Sequence, residues 1–206
     1  MTVVPGWTLT RPEWLAARIT ELGHSWGTTS LRVAGTLWWS MAASALVELI
    51  VRAYAHDKRA PEATLDRLSC EVRADGGIER VRILTGGIQE DCSAHAGALG
   101  ETLAAVVPPV TEVSGAGTAA LWAIVADAIG NRAIDAGAPE AGMRLAAEIG
   151  GALPVPRFVA IGGRTFVRRI SCCLVFQVPG CALCTSCPKR PAAERQALLE
   201  GLAARD

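Results

Sequence analysis

The sequence predicts an α+β fold: a mainly helical body interrupted by β-hairpins, followed by a C-terminal module rich in cysteine. Three observations predict it. Apolar residues recur at helical spacing over much of residues 12–152. Strict alternation replaces that spacing around Asp75-Gly76-Gly77. Five of the 7 cysteines crowd into residues 172–187.

Each element has its own signal. Thr10-Arg-Pro-Glu13 reads as a capping box with an early proline, and Leu15, Ile19 and Leu22 continue one helical face to Gly23. A longer helix is expected over about 28–55, where Trp38-Trp39 and an alanine-rich body suggest packing on several sides. Leu68, Cys70 and Val72 alternate with polar residues, as do Val81 and Ile83, so a hairpin is expected at about 68–84. Helices follow at about 92–106, 116–134 and 139–152, with Pro108-Pro109 and Gly137-Ala-Pro139 as the expected breaks. After Pro154, Phe158–Ile161 and Thr165–Val167 read as short strands joined by Gly162-Gly163. A last helix is expected over about 191–204. The organisation is thus a body at 1–153 and a cysteine-bearing region at 154–206, expected to form one compact unit.

Composition narrows the function classes. The chain has 206 residues, half of them hydrophobic, enough for a core without disulfide staples. Lys plus Arg equals Asp plus Glu at 20 each, which argues against a general nucleic-acid binder. The N-terminus shows no basic region followed by an apolar run and cleavage site, so the cytosol is the expected compartment. The apolar run from Val33 to Val47, flanked by Arg32 and Glu48, is shorter than the roughly 20 residues that span a bilayer. No stable membrane insertion is expected, with a peripheral place at the inner membrane face as the alternative.

The chemistry lies in Cys172-Cys173, Cys181, Cys184 and Cys187-Pro188. Clustered thiols in a reducing compartment suit metal or redox chemistry. Thiolates are soft ligands that select zinc, copper(I) and iron–sulfur clusters. Adjacent residues of a strand point to opposite faces, so Cys172 and Cys173 reach one centre only if the backbone turns there. That strains a zinc knuckle, whose cysteines are usually two to four residues apart, and is better tolerated by a two-iron cluster. Cys181-x2-Cys184-x2-Cys187-Pro188 also resembles the bacterial ferredoxin run for a four-iron cluster, with Cys172 or Cys173 as fourth ligand. Spacing alone leaves iron–sulfur, zinc and unligated thiols open.

The pattern Cys-Cys-x10-Cys-x2-Cys at Cys172, Cys173, Cys184 and Cys187 resembles the FhuF-like ferric-siderophore reductases. Phe176, Pro179, Arg168 and Arg169 fit the same resemblance. It implies a [2Fe-2S] cluster on those four cysteines and one-electron reduction of siderophore-bound Fe(III), with an unidentified donor protein or reductant. Cys181 stands outside the pattern, and a [4Fe-4S] cluster involving it is the alternative. A cluster-bearing electron carrier or redox sensor without a siderophore substrate is the alternative function. Arg164, Arg168 and Arg169 are candidates to raise the potential or to attract an acidic chelate or donor. The amides around Thr185 and Ser186 are candidate donors to sulfur.

Other motifs carry less. Gly115-x-Gly117-x-x-Ala120 with Asp135 matches a dinucleotide fingerprint, but no strand is expected before it. Cys92-x2-His95 has metal-like spacing without partners, and reads as a helix-start cysteine and a polar histidine. His24 and His56 read as surface residues and Cys70 as core. The tryptophans read mostly as core, with Trp26 or Trp38 candidates to line a chelate pocket.

Overall fold

The structure is a computed structural model that describes residues 1–58, 62–84 and 92–205. Its architecture is α+β. Strand β1 (Thr2–Pro5) leads into a 3-10 turn, then helices α1 (Pro12–Ser25) and α2 (Leu31–Ala55). The hairpin β2 (Leu68–Val72) and β3 (Ile78–Ile83) precedes α3 (Cys92–Ser114), α4 (Thr118–Asp135) and α5 (Pro139–Ile149). A second hairpin, β4 (Phe158–Ile161) and β5 (Arg164–Val167), leads to the cysteine segment and then to α6 (Ala192–Ala203).

Helix α2 is the axis of the body and packs most extensively against α4 and α3. Adjacent helical residues lie about 100° apart, so two neighbouring buried tryptophans require partners on two sides. Trp38 donates its indole N–H to the Gly76 carbonyl at 3.0 Å, and Trp39 to the Leu121 carbonyl at 2.9 Å. One fixes α2 to the hairpin turn and the other to α4. Helix α2 has 25 residues, longer than the apolar run suggested, and is long and apolar enough to cross a membrane. Its most apolar stretch is nonetheless 67% buried inside the body.

Several expectations need correction. Thr10 does not cap α1: its hydroxyl donates to the Trp7 carbonyl at 2.8 Å, and Arg11 occupies the capping position. Ser30 does cap α2, accepting from the Val33 amide. The first sheet has three strands, because β1 pairs antiparallel with β2 and places Val4 opposite Cys70. Helix α3 runs through Pro108-Pro109 instead of ending there. Those prolines cannot bond the carbonyls of Ala104 and Ala105, but both alanines are exposed, so water can satisfy them. The glycines at 115 and 117 follow a helix, not a strand, and connect α3 to α4 with the Ser114 hydroxyl accepting from the Ala116 amide. The dinucleotide reading therefore falls. Trp7 is 43% exposed, outside the core expected for it.

The second hairpin is seated on the body at one point. A Cβ on Gly130 of α4 would lie only 3.0 Å from Val167 of β5, so the missing side chain lets strand and helix meet closely. That contact brings the chain into the cysteine segment one helical turn from Asp127.

Candidate functional site

The cysteine segment starts where α4 holds it. Asp127, 4% exposed, accepts the Ile170 amide at 3.1 Å, the Ser171 amide at 3.0 Å and the Ser171 hydroxyl. It also faces Arg169, whose Nε lies 3.4 Å from Oδ2. A buried carboxylate is tolerated only when donors surround it, and here four do. The sequence offered a signal that the motif reading passed over: a lone acid inside Ala-Ile-Val-Ala-Asp127-Ala-Ile.

After Ser171 the two adjacent cysteines are followed by a sharp change of direction. Leu174 takes the left-handed conformation, φ 62° and ψ 9°, which is uncommon outside glycine. This is the turn that Cys172-Cys173 demanded. The Leu174 amide donates toward the Cys172 sulfur and the Val175 amide toward the Cys173 sulfur. Amide donors toward sulfur are thus found at the first cysteine pair.

The other side of the site is a loop clamped by arginine. Arg190 donates from Nε to the Cys184 carbonyl at 2.9 Å and from a second nitrogen to the Leu183 carbonyl. Arg195 of α6 reaches the Arg190 carbonyl at 3.1 Å and the Cys187 carbonyl at 3.4 Å. The sequence did not mark either arginine, because both act on backbone oxygens of a loop with no regular spacing.

Between these supports the four thiols meet as two pairs. The sulfurs of Cys172 and Cys187 are 3.9 Å apart. Cys173 and Cys184 share a thiol hydrogen bond. Cys187 is only 2% exposed and the others are half-buried. Among the described residues, no three metal-ligating side chains converge on a single point. Cys181 packs against the core and joins neither pair. Gathered in this way, the thiols form a soft donor set of the kind that holds zinc or an iron–sulfur cluster.

Electrostatics single out one pair. The Cys173 thiol is pulled down to about 5, chiefly by the hydrogen bond from Cys184, against the opposing effect of burial. Cys184 is pushed up for the same reason, so the pair holds one proton between two sulfurs. Arg169 supports the negative charge, with Nη1 3.3 Å from the Cys184 sulfur. Burial opposes the charge on Arg169, but Cys184 and Asp127 together hold it cationic. Cys172 is pushed up, first by burial.

Of the three arginines expected at the site, Arg169 touches a thiol. Arg164 is exposed and lies over the Phe166 ring at 5.4 Å. Arg168 is exposed and lines a cleft of about 260 Å³ with Arg169, Arg195 and Ser186. A second cavity, about 350 Å³, opens between α2 and α4 and reaches the site at Cys173. Trp26, Leu37 and Met41 form its apolar wall, and Ser40, Asn131 and Arg169 supply polar groups. Trp38, the other candidate for such a wall, is fully buried in the core.

The remaining motifs lie apart. His24 and His56 are exposed, and Cys70 is buried with its thiol pushed up to about 12 by desolvation. His95 is 1% exposed, with no hydrogen-bond partner for either ring nitrogen among the described residues. The Cys92 side chain lies outside the described residues.

No curated protein matches the chain. Residues 169–189, which carry all five clustered cysteines, match the family model described as the FhuF 2Fe-2S C-terminal domain, and in this segment the chain is similar to iron–sulfur proteins.

Proposed function

We propose that this chain is a ferric-siderophore reductase of the cytoplasm, holding a [2Fe-2S] cluster on Cys172, Cys173, Cys184 and Cys187. The observation that carries this reading is the meeting of four thiols as two contacting pairs beside a cavity lined by Trp26 and Cys173. When bound, the cluster supplies one electron at low potential. The chain's residues supply the rest. Asp127 and Arg190 fix the two cysteine-bearing stretches, Arg169 offsets thiolate charge, and the cavity rests a chelate beside Cys173. Its volume is in the range of small-molecule sites, and its mixed wall suits a ligand with apolar arms and polar oxygens.

Reduction is an effective way to release such iron. Fe(III) is a hard ion gripped by oxygen chelators, and one added electron lowers its charge and loosens that grip. No general acid or base is required. Arg168, Arg169 and Arg195 around the second cleft favour an acidic donor protein as the electron source.

The test is anaerobic. Reduced, cluster-loaded protein is mixed with ferric siderophores while cluster absorbance and Fe(II) release are followed together. Stoichiometric reoxidation and Fe(II) release are expected. A cluster that stays reduced with every chelate would leave only an electron carrier or redox sensor.

A further inference from the structure

The two thiol pairs differ in their surroundings. Each pair takes one cysteine from each end of the loop: Cys172 with Cys187 at 3.9 Å, and Cys173 with Cys184. Two thiolates on one tetrahedral metal at about 2.3 Å stand about 3.8 Å apart, so the Cys172–Cys187 contact already has the span of a shared ion. The left-handed turn at Leu174 redirects the chain directly after Cys173, and each of the adjacent cysteines engages a partner across the loop. A fixed positive charge falls on the second pair. Arg169 lies 3.3 Å from the Cys184 sulfur and hydrogen-bonds Cys173 as well. Cys173 is also the thiol that lines the cavity between α2 and α4.

We infer that Cys173 and Cys184 hold one iron and Cys172 and Cys187 the other, and that Arg169 steers the added electron to the Cys173–Cys184 iron, on the cavity side. This rests on the two-iron reading above. An external one-electron reductant converts that iron from Fe(III) to Fe(II); no bond forms or breaks. The added negative charge is best stabilised where a guanidinium already lies against sulfur in a half-buried site, since the interaction falls with distance. Hydrogen bonds to thiolate sulfur act in the same direction. Arg169 is a positioning and tuning residue, held in place by Asp127.

Four single Cys→Ser variants and the variants Arg169→Gln and Arg169→Lys are assembled with iron and sulfide anaerobically. Metal and sulfide content, electron paramagnetic resonance and midpoint potential are read for each. A serine oxygen is a harder ligand that favours Fe(III), so it costs most at the iron that is reduced. Cys173→Ser and Cys184→Ser should share one spectrum, with the reduction equilibrium at least tenfold weaker, about 59 mV in potential. Cys172→Ser and Cys187→Ser should share another, with a smaller shift. Arg169→Gln should lower the potential with iron retained, and Arg169→Lys should recover part of the loss. Where serine variants fail to load, reduced wild-type protein labelled with 15N-arginine should show nitrogen hyperfine coupling to the cluster. Variants that group as sequence neighbours, an iron-loaded Arg169→Gln with unchanged potential, or absent arginine coupling would overturn the inference. Zinc or four irons in the wild type would instead remove the two-iron reading beneath it.

Discussion

The carboxylate of Asp127 binds both the amide and the hydroxyl of Ser171, 44 residues away, and so ties the start of the cysteine segment to helix α4. Removing it leaves two amides, a hydroxyl and Arg169 without their acceptor. Asp127→Ala should cost about 3–5 kcal/mol, the range for breaking a buried charge pair. Thermal melts and protease sensitivity after residue 167 would measure this. A variant that melts like the wild type would show that the segment is held by other means.

Arg190 clamps the second half of the site. Arg190→Ala frees two loop carbonyls, at about 1–3 kcal/mol in local stability. The expected result is faster bleaching of cluster absorbance in air or chelator. Glu194→Ala, which removes only the half-exposed partner of Arg190, should change bleaching little, because such pairs contribute about 0–1 kcal/mol.

Cys181 lies among the four proposed ligands in sequence but belongs to neither thiol pair. Cys181→Ser should retain full iron and sulfide content. Loss of the cluster on this change would bring back the four-iron alternative.

Thiol reactivity should divide the cysteines of the metal-free protein. With its thiol near 5, Cys173 carries thiolate at pH 6–7 and should be the first alkylated, and cluster assembly should protect it. Cys70, buried and pushed up to about 12, should react only on unfolding. The sign for stability follows from that shift. Burial favours the neutral thiol, so the unfolded chain ionises first, and Cys70 weakens the fold as pH rises from about 9 toward about 12. Mass-spectrometric mapping of alkylation against pH would test both residues.

A further structural constraint is steric. A Cβ on Gly35 of α2 would lie 2.2 Å from the Ser114 Cβ at the end of α3. Gly35→Ala must therefore push the helices apart, at about 1–3 kcal/mol. For a chain of this size that lowers Tm by about 2–4 °C per kcal/mol. A calorimetric Tm equal to wild type would contradict the close approach.

Much of this was legible in the residues themselves. Apolar periodicity placed the helices, alternation placed the first hairpin and Gly162-Gly163 the second, and the cysteine spacing with its resemblance marked the iron–sulfur segment. What could not be read depended on partners distant in sequence. Strand β1 is largely exposed and exists because β2 offers it a ladder. Pro108-Pro109 carries a strong local signal for a break, which the buried face of Leu103, Val106, Val107 and Val110 overrides. Asp127 was visible as an acid in an apolar helix, but its four donors come from residues 169–171. The pairing across the loop was hidden too, because it joins residues 11 to 15 positions apart through a loop with no regular spacing.

Chain order adds a consequence. The body, through α5, leaves the ribosome before residues 169–189, so its packing can finish with no thiol pair yet present. Asp127 and the α2/α4 cavity wall then wait as a template on which the late segment docks. On the two-iron reading, metal insertion would then follow the folding of the body.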